Sequence, residues 1–242
     1  MRPFAYYRPE TLDAALMLFG GEAEPPPSAA TQVIAGGTNM LDYMKLGVMQ
    51  PAHLVDINQL QDADLRTIEA SATGLRLGAL VRMGEAEDHP AIRRDYPLMA
   101  EALQLAASPQ IRNMATLGGN ILQRTRCEYF RETSWACNKR NPGSGCDAMD
   151  GFNRQHAVLG TSDKCIATYH GDFAQALIAL DAAVDITGSS GNRTIPIAQL
   201  HRPPGDTPNI ETVLRPGDII TAINVPPGPW TRRSHYLKVR DR

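Results

Sequence analysis

The sequence predicts an α+β protein, in which helices and strands do not follow a regular βαβ repeat. Apolar residues recur at helical spacing in some segments, whereas short aliphatic runs bounded by glycine or proline are typical of strands. The two kinds of segment alternate irregularly along the chain, which favours α+β over a doubly wound parallel sheet. The chain has 242 residues, 43% of them hydrophobic, and is therefore long enough to bury a substantial core.

Helices are predicted from the spacing of apolar side chains. Residues 12–19 place them one turn apart behind Thr11, a suitable N-cap. Residues 96–107 and residues 172–181 each carry one apolar face. Residues 40–45 follow a glycine turn and are predicted to form a helix as well.

Strands are predicted where short aliphatic runs are bounded by turn residues. Two such runs flank Gly188-Ser189-Ser190-Gly191, a spacing that indicates a β-hairpin. The predicted strands are residues 32–35, 53–57, 75–78, 183–187, 193–197 and 217–225.

Charge and hydropathy argue against two classes of partner. The formal net charge is −2, which does not favour a nucleic-acid surface or a polybasic membrane anchor. No stretch approaches the roughly 20 apolar residues of a membrane span. The first ten residues lack the apolar region of a secretion signal. We therefore expect a soluble protein without its own export signal, which favours reduced thiols at synthesis.

Two glycine-rich turns are candidates for binding an anion. Gly36-Gly37-Thr38-Asn39 follows a predicted strand, and Thr116-Leu117-Gly118-Gly119-Asn120 lies further along the chain. Glycine allows backbone N–H groups to approach a phosphate closely. Neither turn fits the G-x-G-x-x-G pattern or a P-loop, so each taken alone is also compatible with a simple tight turn.

All four cysteines lie in one segment, at Cys127, Cys137, Cys146 and Cys165. Their spacing is too wide for a zinc finger and lacks the short steps of a ferredoxin. Four thiolates are nevertheless the ligand count of a tetrahedral zinc ion or a four-iron cluster, and two disulfides are the alternative. The surrounding residues, about 124–170, predict a long irregular loop, which is uncommon unless function or a covalent or metal link holds it.

Five motifs in order resemble the FAD-binding subunits of the molybdenum hydroxylases, the family of xanthine dehydrogenase and carbon monoxide dehydrogenase. The resemblance covers essentially the whole chain. It implies the two-lobed FAD-binding fold shared with vanillyl-alcohol oxidase and p-cresol methylhydroxylase, with FAD extended between the lobes. The motifs are Val33-Ile34-Ala35-Gly36-Gly37-Thr38-Asn39, Ala115-Thr116-Leu117-Gly118-Gly119-Asn120, Asp172 before Ala-Gln-Ala-Leu, Gly217-Asp218-Ile219-Ile220, and Tyr236-Leu237-Lys238.

The resemblance also implies a division of the chain into domains. Residues 1–60 are expected to form an N-terminal FAD-binding lobe. Residues 61–226 are expected to form a second lobe, with an iron-sulfur insertion at about 124–170. Residues 227–242 would be the start of a C-terminal domain that is otherwise absent.

Residue roles follow from the same resemblance. Asp172 is expected to accept a hydrogen bond from the ribose or adenine end of FAD. Ile220 is expected near the isoalloxazine and Lys238 at its polar edge. The pyrophosphate is expected to contact the backbone of Val33, Ile34, Ala35, Gly36, Gly37, Thr38, Asn39 and Met40, and the opposite side of the diphosphate and ribitol to contact Thr116, Gly119 and Asn120.

The cysteine segment is similar to the insertion that binds a 4Fe-4S cluster in bacterial periplasmic aldehyde oxidoreductases of this family. This similarity implies that the four cysteines ligate a 4Fe-4S cluster. His156 is expected to be a hydrogen-bonded structural residue and not a ligand. Six basic residues could offset the charge of the cluster: Arg124, Arg126, Arg131, Lys139, Arg140 and Arg154.

The implied function is electron transfer within a molybdenum-dependent aldehyde oxidoreductase. The chain would pass electrons from molybdenum and 2Fe-2S partner subunits to an external acceptor, in the cytoplasm or, if exported with a partner that carries the signal, in the periplasm. No acid–base or nucleophilic constellation is evident. Three alternatives remain open: a β subunit like that of 4-hydroxybenzoyl-CoA reductase, a self-contained flavin enzyme, and a zinc-stapled, non-redox binding module.

Overall fold

The computed structural model describes residues 1–19, 24–25 and 28–240, which pack as two units. The first unit contains Met1–Gln59, Gln123–His170 and Gln199–Asp218. The second unit contains Leu60–Leu122, Gly171–Ala198 and Ile219–Arg242. Each unit is therefore assembled from three separate stretches of the sequence.

A three-stranded parallel sheet forms the centre of the first unit. Its strands are β1 (Ala5–Tyr7), β2 (Thr31–Ile34) and β3 (His53–Asp56), in the order β1-β3-β2. The middle strand buries Leu54 and Val55, as expected for a parallel strand covered on both faces.

The described residues of the first unit form the helices α1 (Leu12–Met17), α2 (Met40–Leu46) and α8 (Glu128–Arg131). The Thr11 side chain accepts a hydrogen bond from the backbone N–H of Ala14, which confirms its prediction as an N-cap. Helix α2 ends at Gly47, whose φ of +76° is the left-handed conformation that favours glycine at a helix end.

A five-stranded antiparallel sheet forms the centre of the second unit, in the order β4-β5-β8-β6-β7. The central strand β8 buries the side chains of Ile220, Ala222 and Ile223. The strands are β4 (Ile68–Ser71), β5 (Gly74–Gly78), β6 (Ala183–Gly188), β7 (Gly191–Pro196) and β8 (Ile219–Val225).

Helices pack in the second unit with their apolar faces buried. The longer pair buries Met99 and Leu103 from one helix, and Phe173 and Leu177 from the other. The helices are α3 (Met83–Asp88), α4 (Pro90–Asp95), α5 (Pro97–Leu105), α6 (Pro109–Arg112), α7 (Leu117–Ile121) and α9 (Asp172–Ala179). No helix in the described ranges is both long and apolar enough to span a bilayer.

The mixture of helices and sheets confirms the predicted α+β class. Each predicted strand and helix has a counterpart within a few residues. Strands β1 and β4 and the short helices α3, α4, α6, α7 and α8 were not predicted. Strand β1 is exposed throughout and shows no alternation, and α4 and α6 are helices of only six and four residues that begin at proline.

The packing differs from the contiguous domain division expected from the sequence. The cysteine segment lies in the first unit, not inserted in the second, and residues 199–218 join it there. Its side chains explain the placement: Arg131 forms a 2.8 Å ion pair with Asp42, and the Tyr43 hydroxyl donates to the carbonyl of Arg124. Residues 227–240 belong to the second unit, while residues 241 and 242 lie outside the described part of the chain.

Candidate functional site

The first glycine turn connects β2 to α2 and is open to solvent along its length. Every residue from 33 to 40 is partly exposed. Gly37 has a φ of +73°, and a Cβ there would lie 3.2 Å from Leu41 Cδ1. A side chain at this position would therefore be strained and crowded, so glycine is required for the backbone path.

A network of hydrogen bonds holds the backbone of this turn. The Asn58 side-chain amide donates to the carbonyl of Ala35 at 2.6 Å and to Asp56 Oδ1 at 2.7 Å. The Tyr6 hydroxyl donates to Asp56 Oδ2. Burial alone would raise the pKa of Asp56, but the hydrogen bonds from Tyr6 and Asn58 hold that pKa below its ordinary value. The carboxylate is thus kept charged beneath the turn.

Sequence analysis did not single out Asp56 and Asn58. The signal is the pattern Asp56-Ile57-Asn58 at the end of a buried strand, where the aspartate can accept the N–H two residues on. What the sequence could not show is that the amide of Asn58 reaches Ala35, 23 positions earlier.

In the second glycine turn, Thr116 acts as the N-cap of α7. Its hydroxyl accepts from the backbone N–H of Gly119 at 3.2 Å, and the residue is almost fully buried. A Cβ on Gly118 would lie 3.0 Å from Ala79 Cβ, so this glycine lets the helix approach the preceding segment. Gly119 remains exposed.

The side chain of Asn120 has one acceptor without a hydrogen-bond partner among the described residues. Its amide nitrogen lies 3.4 Å from Met83 Sδ, whereas Oδ1 is buried and has no hydrogen-bond partner among the described residues. A buried acceptor without a donor is costly, and a ligand hydroxyl would satisfy it. Of the three predicted residues in this turn, Gly119 is exposed and Asn120 is partly exposed, whereas Thr116 is buried.

Asp172, at the start of α9, is paired with two residues of the C-terminal segment. Its Oδ2 accepts from Lys238 Nζ at 2.6 Å and its Oδ1 accepts from the Tyr236 hydroxyl at 2.7 Å. Burial, together with the neighbouring carboxylate, raises the pKa of Tyr236. Lys238 also donates to the carbonyl of Leu105 at 3.3 Å.

This pairing joins two residues for which the sequence predicts separate roles. Asp172 is expected at the ribose or adenine end of FAD and Lys238 at the isoalloxazine edge, and both roles stay predictions. A 2.6 Å contact places them at one location. Tyr236, which had no assigned role, completes the group. Ile220 is buried in β8, opposite Ile186 of β6.

The four cysteines are free thiols. Cys137 and Cys165 are buried, while Cys127 and Cys146 are partly exposed. Cys137 and Cys146 face each other in an isolated antiparallel bridge. Among the described residues, no three His, Cys, Asp or Glu side chains are arranged to hold a metal ion.

The pKa values of two of these thiols are nevertheless affected by other cysteines. Burial raises the pKa of Cys127, and the nearby Cys137 and Cys165 raise it further. Burial also raises the pKa of Cys165, with Cys146 and Cys137 adding to the shift and Lys139 opposing it. Cys137 and Cys165 therefore lie within electrostatic range of Cys127, and Cys137 and Cys146 lie within electrostatic range of Cys165.

Asn138 connects three backbone segments that carry cysteines. Its amide nitrogen donates to the carbonyl of Lys164 at 3.0 Å, and its oxygen accepts from the N–H of Gly145 at 2.9 Å. Lys164 precedes Cys165, Gly145 precedes Cys146, and Asn138 itself follows Cys137. This framework exists without any bound group.

The basic residues near the cysteines are mostly committed to protein partners. Arg124 and Lys139 share Glu211, at 2.5 and 3.0 Å, and all three side chains are largely buried. Arg140 donates to the carbonyls of Tyr129 and Phe130. Arg131 pairs with Asp42, whereas Arg126 and Arg154 are exposed. Because several of these basic residues are paired with carboxylates, the net positive charge near the cysteines is smaller than the number of basic residues indicates.

Comparison with known proteins connects these features. Residues 2–228 match the family described as the FAD-binding domain in molybdopterin dehydrogenase. The aldehyde oxidoreductase FAD-binding subunit PaoB of Escherichia coli (strain K12) is 50% identical over all of this chain and 74% of its own length. The glyceraldehyde dehydrogenase medium chain of Sulfolobus acidocaldarius is 25% identical over 92% of this chain and 59% of its own.

Solved structures agree with this assignment. Carbon monoxide dehydrogenase from Hydrogenophaga pseudoflava, in a form that lacks the Mo-pyranopterin moiety, superposes with a TM-score of 0.64 at 25% identity. The match covers 94% of this chain and 61% of that one. The carbon monoxide dehydrogenase medium chain of that organism is 35% identical over 49% of this chain and 39% of its own. The protein therefore belongs to the family of FAD-binding domains of molybdopterin dehydrogenases.

Proposed function

We propose that this chain is the FAD- and 4Fe-4S-containing electron-transfer subunit of a molybdenum-dependent aldehyde oxidoreductase. The observation that carries the proposal is the 50% identity over the full chain to an aldehyde oxidoreductase FAD-binding subunit. The proposal includes the two-lobed fold of vanillyl-alcohol oxidase.

The residues present fit FAD. The accessible turn at residues 33–40, with its required glycine at position 37, offers backbone N–H groups for a pyrophosphate. The unpaired oxygen of Asn120 suits a ribitol hydroxyl. The group formed by Asp172, Tyr236 and Lys238 offers polar edges at a third position. When bound, the flavin supplies the redox chemistry, and the chain binds and orients it.

The residues present also fit a four-iron cluster. Each thiolate of such a cluster binds a different iron, so the four sulfurs need not converge on a single ion. The four cysteines are free thiols, and Asn138 links the backbone beside three of them, Cys137, Cys146 and Cys165. Thiols with raised pKa values must lose their protons on ligation, so loading is expected to release protons.

The partners we propose are a molybdenum-binding subunit and a 2Fe-2S subunit, with an external electron acceptor. Support comes from the names of the relatives, which are a FAD-binding subunit and medium chains. Such a subunit would operate in the cytoplasm, or in the periplasm if a partner carries it there.

Metal analysis of the purified full-length subunit tests the cluster. About four irons and four acid-labile sulfides per chain are expected when the site is fully loaded. Zinc without sulfide would favour the non-redox module instead. Cys165→Ser should lose iron, and full iron with an unchanged spectrum in that variant would show that the fourth ligand is elsewhere.

An anaerobic reduction experiment tests the division of labour. The subunit alone should leave its flavin oxidised when mixed with an aldehyde, and the flavin should bleach once the molybdenum and 2Fe-2S partners are added. Rapid bleaching by the subunit alone would overturn the proposal and favour a self-contained flavin enzyme. An aromatic acyl-CoA as the only oxidant of the reduced complex would favour a relative of 4-hydroxybenzoyl-CoA reductase.

A further inference from the structure

We propose that His156 donates a hydrogen bond from Nε2 to the Cys127 sulfur and thereby raises the reduction potential of the cluster. The Nε2–Sγ distance is 3.1 Å. The proposal rests on the four-iron cluster of the proposed function. It assigns His156 a positioning and tuning role outside the four sulfur ligands.

Hydrogen bonds hold the backbone at His156 and at the residue that follows it. The backbone N–H of His156 donates to the carbonyl of Asn153 at 2.9 Å. The next residue, Ala157, donates to the carbonyl of Ile166 at 2.9 Å, beside Cys165. The histidine is therefore fixed between two of the cysteine-bearing segments.

An aromatic neighbour fixes the ring from the side. The rings of His156 and Tyr129 have centroids 6.1 Å apart, at an angle of 53°. The Tyr129 hydroxyl accepts from the N–H of Phe152 at 2.7 Å. A Cβ on Gly151 would overlap that hydroxyl, so glycine at this position leaves room for Tyr129. The Tyr129 ring beside the imidazole is thus itself held by local contacts.

The chemistry of the pair determines the direction of the hydrogen bond. A sulfur that ligates iron has lost its proton and can only accept. Nε2 must then carry the hydrogen. In a neutral imidazole the other nitrogen, Nδ1, is an acceptor, and here it is buried without a hydrogen-bond partner among the described residues. Among the described residues, the hydrogen bond of the His156 ring is therefore the one to the Cys127 sulfur.

A donor at this sulfur affects the two oxidation states unequally. Reduction adds one electron, and the ligand sulfurs carry part of the added charge. A hydrogen bond to sulfur therefore stabilises the reduced form more than the oxidised form, which raises the potential. Residues that contact metal ligands tune metal sites in this way.

The test is an EPR-monitored redox titration of the full-length subunit in its purified complex. His156→Phe removes the donor and should shift the midpoint of the cluster to a lower potential. His156→Gln retains an N–H donor and should give an intermediate value. Val158→Ala is the matched control, because Val158 lines the same surface cavity as His156 and is 90% exposed. Its midpoint should equal that of the wild type.

Wild-type protein provides a second readout, in case His156→Phe loses its cluster. Pulsed EPR of the reduced cluster should show a weakly coupled proton that exchanges in D2O, together with weak coupling to ¹⁵N-labelled histidine. Absence of that proton would overturn the inference. Strong coupling typical of a directly bound nitrogen would also overturn it, because His156 would then be a ligand.

The outcomes separate this inference from the proposed function. If His156→Phe keeps full iron and the wild-type midpoint, the tuning role is wrong and the cluster stands. If the wild-type complex contains no iron and sulfide in this subunit, the cluster itself is wrong and the inference fails with it.

Discussion

Gly37 and Asn58 show how single residues shape the first glycine turn. Gly37 supplies a backbone conformation that a side chain would strain. Asn58 donates a hydrogen bond to the carbonyl of Ala35, two residues before Gly37. Neither residue offers a catalytic group. Their contribution to function is the path of the backbone, which decides where the N–H groups point.

Gly37→Ala should reduce flavin retention. Placing an L-residue in the left-handed region costs roughly 1–2 kcal/mol, and relief of that strain would move the turn. Flavin content per chain, measured by absorbance after gel filtration, checks the prediction. Gly160→Ala is the control, because Gly160 has a similar φ of +68° with open space around it. Equal flavin loss in both variants would show that strain alone, and not the location, is responsible.

Tyr6→Phe should lower the stability of the protein at neutral pH by roughly 0.5–1 kcal/mol, because Asp56 loses a hydrogen bond. The folded-state pKa of Asp56 lies below its ordinary value. Its contribution to stability is therefore present above about pH 4, the pKa of an unfolded aspartate, and is lost as the pH falls through the folded-state pKa.

Urea unfolding of both proteins at a series of pH values measures this effect. The difference between wild type and Tyr6→Phe should shrink as the solution becomes more acidic. A difference that stays constant below about pH 3 would show that the phenol acts by packing and not through the carboxylate.

At the scale of elements, Thr116 is predicted to contact the cofactor but also caps helix α7. The hydroxyl of Thr116 is used inside the protein, as the cap of a helix that is only five residues long. Short helices depend on such caps, because much of their backbone lacks an intrahelical partner. Any effect of Thr116 on FAD would then be transmitted through the position of Gly119 and Asn120.

Thr116→Val should destabilise even the flavin-free protein, by about 1 kcal/mol, because it keeps the shape and removes the cap. Thr116→Ser keeps the hydroxyl and should bind flavin like the wild type. Thermal unfolding of the flavin-free and flavin-loaded forms tests both statements. If Thr116→Val changes only the loaded form, its hydroxyl contacts the cofactor instead.

At the scale of the whole molecule, the sequence indicated the elements better than their assembly. Glycine turns, caps and the hairpin could be predicted because each depends on neighbours a few residues away. The placement of the cysteine segment could not, since it depends on pairs such as Arg131 with Asp42, 89 positions apart. For the same reason the contact between Asp172 and Lys238, 66 positions apart, could not be predicted.

Removing iron from the loaded subunit with a chelator should loosen two separate stretches of the first unit. Residues 123–170 would lose the cluster directly. Residues 199–218 should follow, because Glu211 binds Arg124 and Lys139 of the cysteine segment. Hydrogen–deuterium exchange measures both, with the hairpin formed by β4 and β5 as the internal control. Faster exchange confined to residues 123–170 would contradict the coupling through Glu211.

The interleaved composition of the units has a consequence for synthesis on the ribosome. Arg124 emerges long before its partner Glu211, which lies 87 positions later in the chain. The first unit therefore cannot close around the cysteine segment until most of the chain has been translated. During that interval four thiols are exposed to oxidants and to competing metals. Expression at slow translation rates or under oxidative stress should consequently favour disulfides between these cysteines over the subunit with four free thiols.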